Sequence, residues 1–327
     1  MAGLKAIKLK IRSTDKTRKV TKAMEAVSAA KMRKAQQRAI AGRAYARAAV
    51  SILSRLSGSK ELANHPLVRG GGAFQESASQ PAGRRGDGFE TDSSAAKAAL
   101  YIVITSDKGL AGALNSAVLR AALADIEGSG VPKEGVSVIA IGKKANEFFS
   151  MRGYAITHYY PNTEDVTSEI LQSLLEEAAA AYGAGAVGRV SVIYQNFIST
   201  FEQRPTTRRI FPLSLEELQK VVSDITPARG VFAQPQGSDA PDIYTIEPSE
   251  SDIMNAILPK LAGIFLYHAL LEAQASEHSA RMVSMKSASD KAGEMKHALT
   301  LQFNKARQAA ITREVSEITG GMEAMAA

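Results

Sequence analysis

Cysteine and tryptophan are both absent from this chain of 327 residues. Disulfide scaffolds, Cys-ligated zinc, iron–sulfur clusters, catalytic thiols and thiol switches are thereby excluded. Aromatic residues make up only 6 %, which is lean for a surface that stacks single-stranded nucleic acid. No run of 18 or more apolar residues occurs. The best stretch, 253–271, is interrupted by Asn255, Pro259, Lys260 and His268, so it is not expected to span a membrane. Proline is missing from both ends: all eleven lie between Pro66 and Pro259. Glycine is thin in the same places, with Gly3 and Gly42 before Leu56, then Gly263 and Gly293 between Lys260 and Thr319. Since proline costs a helix interior ~3 kcal/mol and glycine ~1 kcal/mol relative to alanine, the two ends are where long helices are cheap. Residues 4–57 and 248–319 are read as such helices, roughly 80 Å and 105 Å long at 1.5 Å per residue.

What is present sharpens this. Helices of that length need a partner along them. The C-terminal one carries a seam at Met282, Met285, Ser289, Ala292, Leu299, Phe303, Ala306 and Ala310, interrupted by Lys296, after which the apolar line moves to Ile311, Val315, Ile318 and Met322. The N-terminal one offers Leu4, Ile7, Ile11 and Thr14, then Val20, Met24 and Val27. Spacings of 3 and 4 predict a coiled coil. Joining two ends of one chain through a compact middle favours antiparallel pairing, with the longer C-terminal helix extending past the start of the other. The alternative, one wide face lying on a globular core, suits the short stretches but not the length.

Charge is uneven too. Residues 1–60 hold sixteen of the chain's 40 Lys and Arg against Asp15 and Glu25 only, a +14 segment in a chain whose net charge is +7, so the other 267 residues sum to −7. Such a helix calls for an acidic protein surface, nucleic acid or anionic lipid; a merely solvated face would mix both signs.

The middle, 99–247, reads as an α/β base domain. Residues 99–105, 136–141 and 189–195 are short apolar, β-branched runs, separated by helical stretches at 111–127, 143–152 and 164–182. Strands alternating with helices predict a largely parallel sheet covered on both faces. Residues 200–211 and 242–246 are expected to flank it as extended segments. Between the first helix and the first strand, within 61–98, residues 69–97 are rich in Gly and Ser, lack periodicity, and read as a disordered insertion.

Chemistry is sparse. The five histidines form no i,i+4 pair and no HExxH, so no metal site is indicated. There is no GxSxG and no GxxxxGK[ST], hence no nucleophile elbow, no ATP-cradling loop and no expected cofactor. The turn at 105–115 (TSDKGLAGALN) follows a strand and opens a helix, and phosphate would suit such a helix start. It lacks the third glycine of a dinucleotide fingerprint, however, and a tight strand-to-helix turn explains its glycines equally well. Met282, Met285 and Met295 make an adaptable packing surface.

Three segments nevertheless match a known pattern. Residues 8–34 (KLKIRSTDKTRKVTKAMEAVSAAKMRK) closely resemble the N-terminal helix of the gamma subunit of F-type ATP synthases. Residues 276–320 (SEHSARMVSMKSASDKAGEMKHALTLQFNKARQAAITREVSEITG) resemble that subunit's C-terminal helix, and SDKGLAGALN resembles its middle domain. The resemblance implies a central rotor shaft: a coiled coil standing, one copy per complex, in a hexamer of alpha and beta subunits, on a base that rests with the epsilon subunit on the membrane-embedded c ring. ATP chemistry would then belong to beta, and the acidic partner of the basic helix would be the beta lever loops. Met24 matches the methionine that faces a lever. Arg281, Gln308, Thr312 and Glu317 match positions where the C-terminal helix meets the hexamer, and Tyr244 and Glu247 match base positions on the c ring. Met24 is also expected to pack in the seam. The absence of cysteine excludes the thiol regulation of the chloroplast form. With only MAGLKAI before the shaft motif, the expected setting is a bacterial inner membrane, peripheral on the cytoplasmic side, without direct membrane insertion. The rival readings are a basic coiled coil lying along nucleic acid and a cofactor-binding α/β enzyme with helical arms. The first predicts steep salt dependence, yet there is no aromatic interleaving to read bases.

Overall fold

The computed structural model describes residues 2–41, 65–69, 98–163, 166–213 and 250–326. In chain order these form helix α1 (Ala2–Ala41), a single turn α2 (Pro66–Arg69), strand β1 (Ala98–Ile104), α3 (Leu114–Gly128), β2 (Val136–Ile141), α4 (Lys143–Met151), β3 (Ala155–Tyr160), α5 (Ser168–Gly183), β4 (Val187–Phe197), β5 (Gln203–Phe211) and α6 (Glu250–Ala326). Residues 42–57 of the expected N-terminal helix, the insertion at 70–97, the extended stretch at 242–246 with Tyr244, and Glu247 lie outside the described residues.

The sheet has the order β3-β2-β1-β4-β5, parallel except for β5. β1 and β2 are almost wholly buried, as continuous apolar strands are when helices cover both faces. Leu100, Ile102 and Ile104 turn to one side, where Leu171, Leu174 and Leu175 of α5 and Leu258, Leu261 and Leu266 of α6 close the core. Ala99, Tyr101 and Val103 turn to the other, against Val118, Ala122 and Ile126 of α3 and Phe149 of α4. β3 is the strand that sequence reading misses. Its pattern alternates exposed and half-buried because it is the sheet's edge, so it never shows an apolar run. The predicted flanking segment at 200–211 becomes β5, joined to β4 by the short turn at 198–202.

α6 runs unbroken through Pro259. Proline removes one backbone donor, but the flanking Leu258 and Leu261 are completely buried, and burying a leucine stabilises by about 1.5–3 kcal/mol, enough to hold the helix there. By composition one 18-residue window of Met254–Met322 is apolar enough to cross a membrane; more than half of it is buried inside the fold.

Above the sheet, α6 pairs with α1 in antiparallel fashion. The predicted seam of α6 holds position by position: Met285, Ser289 and Ala292 are buried, and Leu299, Phe303, Ala306 and Ala310 are half-buried. Lys296, the interruption, reaches across to Asp15 at 2.7 Å. On α1 the first half of the expected seam, Leu4, Ile7, Ile11 and Thr14, is correct. The second half is not: Val20 and Val27 are 58 % and 57 % exposed, whereas Thr21, Ser28, Met32 and Ala35 are buried. The 3-and-4 alternation continues from Thr14 without a break through Arg18, Thr21, Glu25 and Ser28; following hydrophobicity instead of register shifts the line off the interface. On this line Ser289 Oγ donates to the Arg18 carbonyl at 3.4 Å, and Gly293 lies beside the Arg18 side chain.

Candidate docking surfaces

Val20, Met24 and Val27, displaced from the seam, line a cleft of about 560 Å³ between the outer face of α1, the loop after β1 and α6. Lys31, Lys34 and Arg38 extend the α1 wall at helical spacing, and Lys108 and Leu110 face them from the loop. The cleft thus has an apolar stripe bordered by four cationic side chains. Such a surface suits an amphipathic segment that carries both apolar and acidic groups.

The loop wall is held rigidly. Ser106 N–H donates to Asn115 Oδ1 at 3.0 Å, Asn115 Nδ2 donates to Ser106 Oγ at 2.7 Å, and that hydroxyl donates to the Lys108 carbonyl at 2.6 Å. Asp107 accepts from the backbone of Lys143 at the start of α4, and Thr105 Oγ1 from that of Ala145. Gly142 must be glycine for this: its φ is +103°, and a Cβ there would fall 2.1 Å from the Thr105 carbonyl oxygen. The turn aims the carbonyls of Lys108 and Gly109, at 3.4–3.5 Å, toward the guanidinium of Arg281. Carbonyl oxygens repel phosphate, so this face of the turn is a cation acceptor and not an anion cradle.

Arg281 is 8 % exposed and donates to Glu277 Oε1 at 2.6 Å, with His278 Nδ1 3.3 Å away. Burial pushes the Glu277 carboxyl up from its ordinary value, against the opposing pull of Arg281. Met24 and Arg281 therefore share one cleft, Met24 half-buried on its wall and Arg281 engaged within the chain. Gln308, Thr312 and Glu317 are exposed far along α6; Gln308 lies about 40 Å of helix rise above Arg281. Past Ala310 the helix overhangs the start of α1, and Ile311, Val315, Ile318 and Met322 are 49–67 % exposed along one line. Sequence reading missed Val20, Val27, Lys31, Lys34, Arg38, Lys108 and Leu110 as a group. Register continuity on α1 is the signal that would have placed the two valines outside. Among the described residues no group of three acidic, His or Cys side chains could hold a metal ion.

A two-helix shaft with an overhanging tip, standing on a doubly covered α/β sheet, defines the class, and comparison with known proteins agrees. A family model described as ATP synthase matches residues 3–325. An ATP synthase gamma chain of Heliobacterium modesticaldum is 34 % identical over 99 % of this chain and 100 % of its own length. One from Staphylococcus epidermidis is 32 % identical over the same shares. Solved structures with the same fold include the rotor of the Euglena gracilis mitochondrial ATP synthase, at TM-score 0.56 and 15 % identity over 95 % of this chain and 99 % of that one. The central stalk and c-ring structure from Tetrahymena thermophila gives 0.52 and 21 %, over 83 % and 99 %. The chain belongs to the ATP synthase family, and within it to the gamma chains.

Proposed function

We propose that this chain is the central rotor shaft of an F-type ATP synthase, turning torque from the c ring into sequential changes in the beta subunits and so coupling ion flow to ATP synthesis or hydrolysis. The observation that carries the reading is the shaft itself, a long helix pair whose tip exposes an apolar line that no other described residue covers. One copy stands in the alpha–beta hexamer, with the epsilon subunit and c ring at the base and no direct insertion into the membrane. The complex sits on the cytoplasmic side of a bacterial inner membrane. The chain supplies no catalytic group of its own; stiffness and a positioned charge pattern do the work.

The cleft at Met24 fits a beta lever. An acidic helix would meet Lys31, Lys34, Arg38 and Lys108 while its apolar side covers Val20, Met24 and Val27. A phosphate backbone would leave that apolar stripe uncovered, so the nucleic-acid reading gains nothing here. Gln308, Thr312 and Glu317 serve as contacts of the tip with the hexamer, and Tyr244 and Glu247 as contacts with the c ring. The test is ATPase turnover of alpha and beta subunits co-expressed with and without this chain, alongside the chain alone. The expected result is an inert isolated chain that co-purifies at one copy per hexamer and changes turnover. Hydrolysis by the isolated chain, or indifference to the hexamer, would overturn the reading. Met24→Lys adds a cation to the cleft and is expected to lower ATP-driven ion pumping per ATP hydrolysed while the complex still assembles.

A further inference from the structure

In an open α/β sheet the ligand site lies beyond the carboxyl ends of the strands, where the strand order reverses. Here that point is between β1 and β4, because the chain goes from β1 outward to β2 and β3 and then returns to β4 on the other side. The crevice is filled by α6. As the helix leaves the sheet face and becomes the shaft, it presents a series of polar side chains to the strand ends. Gln274 Nε2 donates to Asn162 Oδ1 at 3.0 Å, just past β3, and Asn162 in turn donates to the Thr105 carbonyl at 2.8 Å, just past β1. Ser276 Oγ donates to the Gln195 carbonyl near the end of β4 at 3.1 Å, and Ser279 Oγ to the Thr200 carbonyl at 2.7 Å. Arg281 points at the carbonyls of Lys108 and Gly109 while Glu277 holds its guanidinium. Ser276 and Ser279 are fully buried, and their small side chains let the helix backbone come down onto the strand ends.

We infer that Gln274, Ser276, Ser279 and Arg281 form a clasp that occupies the ligand crevice of the sheet and fixes the angle of the shaft against the base, with Arg281 as its main positioning residue. Below the clasp the contacts between α6 and the sheet are mainly apolar, with Glu272 hydrogen-bonded to Tyr194 of β4 as a polar exception, and apolar packing has no directional preference. Hydrogen bonds have defined directions, so bonds to the ends of three different strands resist rotation and sliding of the helix over the sheet. Twist applied at the base then reaches the shaft through the whole sheet rather than through the backbone of α6 alone. The inference rests on the rotor reading and deepens it. It moves Arg281 from the hexamer contact that resemblance implies to a role inside the chain.

The test is single-molecule rotation of the complete ATP synthase, the hexamer fixed to a surface and a bead attached at the base, recording the angular spread within each catalytic dwell. Spread within a dwell reports torsional stiffness and is independent of turnover rate. Arg281→Lys keeps a cation beside Glu277 but loses the planar fork that spans two carbonyls; it is expected to raise the angular variance at least about twofold. Ser279→Ala removes one neutral hydroxyl and is expected to raise it less. The chain has no cysteine, so a Gly112→Cys, Ser284→Cys pair can be added as its only disulfide; a Cβ at Gly112 would lie 3.5 Å from Ser284 Oγ, within the reach of such a bond. Because Gly112 has φ +61° and a side chain there is strained, the cysteine pair in the Arg281→Lys background, reduced, is the baseline. In the Arg281→Lys background, oxidation should restore the narrow spread and reductant should abolish it. An unchanged variance in Arg281→Lys with altered turnover would make Arg281 a hexamer contact and overturn the clasp, as would failure of the formed cross-link to narrow the spread. Should Arg281→Lys not assemble, Ser279→Ala decides alone, and a wild-type variance overturns the clasp. A wild-type bead that does not turn during hydrolysis would instead overturn the rotor reading, so the two failures are distinct.

Discussion

Between Met254 and Ala275, α6 buries Leu258, Leu261, Ala262, Leu266, Leu270 and Leu271 almost completely, whereas beyond Ala292 no described residue of the same helix is buried. The lower half belongs to a core, touching α5 and one whole sheet face. Among the described residues the upper half packs on α1, through a seam of half-buried Leu299, Phe303, Ala306 and Ala310 and one Lys–Asp pair. A seam whose apolar residues are only half-buried contributes less per turn than the fully buried core below, since stabilisation scales with apolar area removed from water. The shaft therefore draws its order from a base that is already folded. One helix serves as a foundation at one end and as an exposed lever at the other.

The largest effects should come from breaking the foundation. Leu266→Ala empties a fully buried site and is expected to cost about 2–5 kcal/mol, read as a lower urea midpoint of the purified chain. The equivalent change in the lever, Leu301→Ala at an exposed position, should stay within about 0.5 kcal/mol. Equal losses at the two sites would refute the division. Gly142→Ala comes next. It forces a side chain into a positive-φ position against the Thr105 carbonyl, and is expected to cost at least ~2 kcal/mol while loosening the loop that walls the cleft, visible as faster amide exchange at residues 106–110.

Acid sharpens the comparison more gently. Hydrogen bonds from Lys296 and Lys19 hold the Asp15 carboxyl down at about 2, below its ordinary 3.8. Because the folded value is the lower one, the stabilisation is complete above the ordinary value and disappears as pH falls through about 2. Between pH 4 and pH 2 the helix pair should therefore loosen near Asp15, followed by amide exchange in α1. Asp15→Asn should remove that acid-dependent step without moving the urea midpoint of the base. Smallest of all is the tip: Ile318→Ser at an exposed site should leave chain stability unchanged within about 0.5 kcal/mol, yet weaken recovery of this chain with the alpha–beta hexamer in a pull-down.

Some of this was legible in the letters and some was not. The α6 seam from Met285 to Ala310 could be read from spacing because every position but Lys296 is apolar or small at spacings of 3 and 4. The α1 seam could not be read past Thr14, because polar residues occupy its interface positions and valines sit one step off it. β1 and β2 were visible as apolar runs, while β3 hid because edge strands alternate weakly. The turn at 105–115 read as a structural bend with a phosphate loop as the lesser alternative, and the direction of its carbonyls favours the bend. Arg281 looked like a surface contact because an arginine in a helix shows nothing of its depth.

The sequence by itself determined where long helices could exist, since proline and glycine act locally and their absence from both ends needs no partner to be felt. It also determined an alternating α/β middle, the lack of thiol chemistry and the family. Only the tertiary structure decided which face of α1 meets α6, and that Lys296 and Asp15 neutralise each other. Tertiary contacts likewise turned the strand-end crevice into a bed for the shaft. Those outcomes depend on residues hundreds of positions apart arriving at hydrogen-bonding distance, and the interface positions of α1 from Arg18 to Ser28 are polar, which leaves no apolar signature to count.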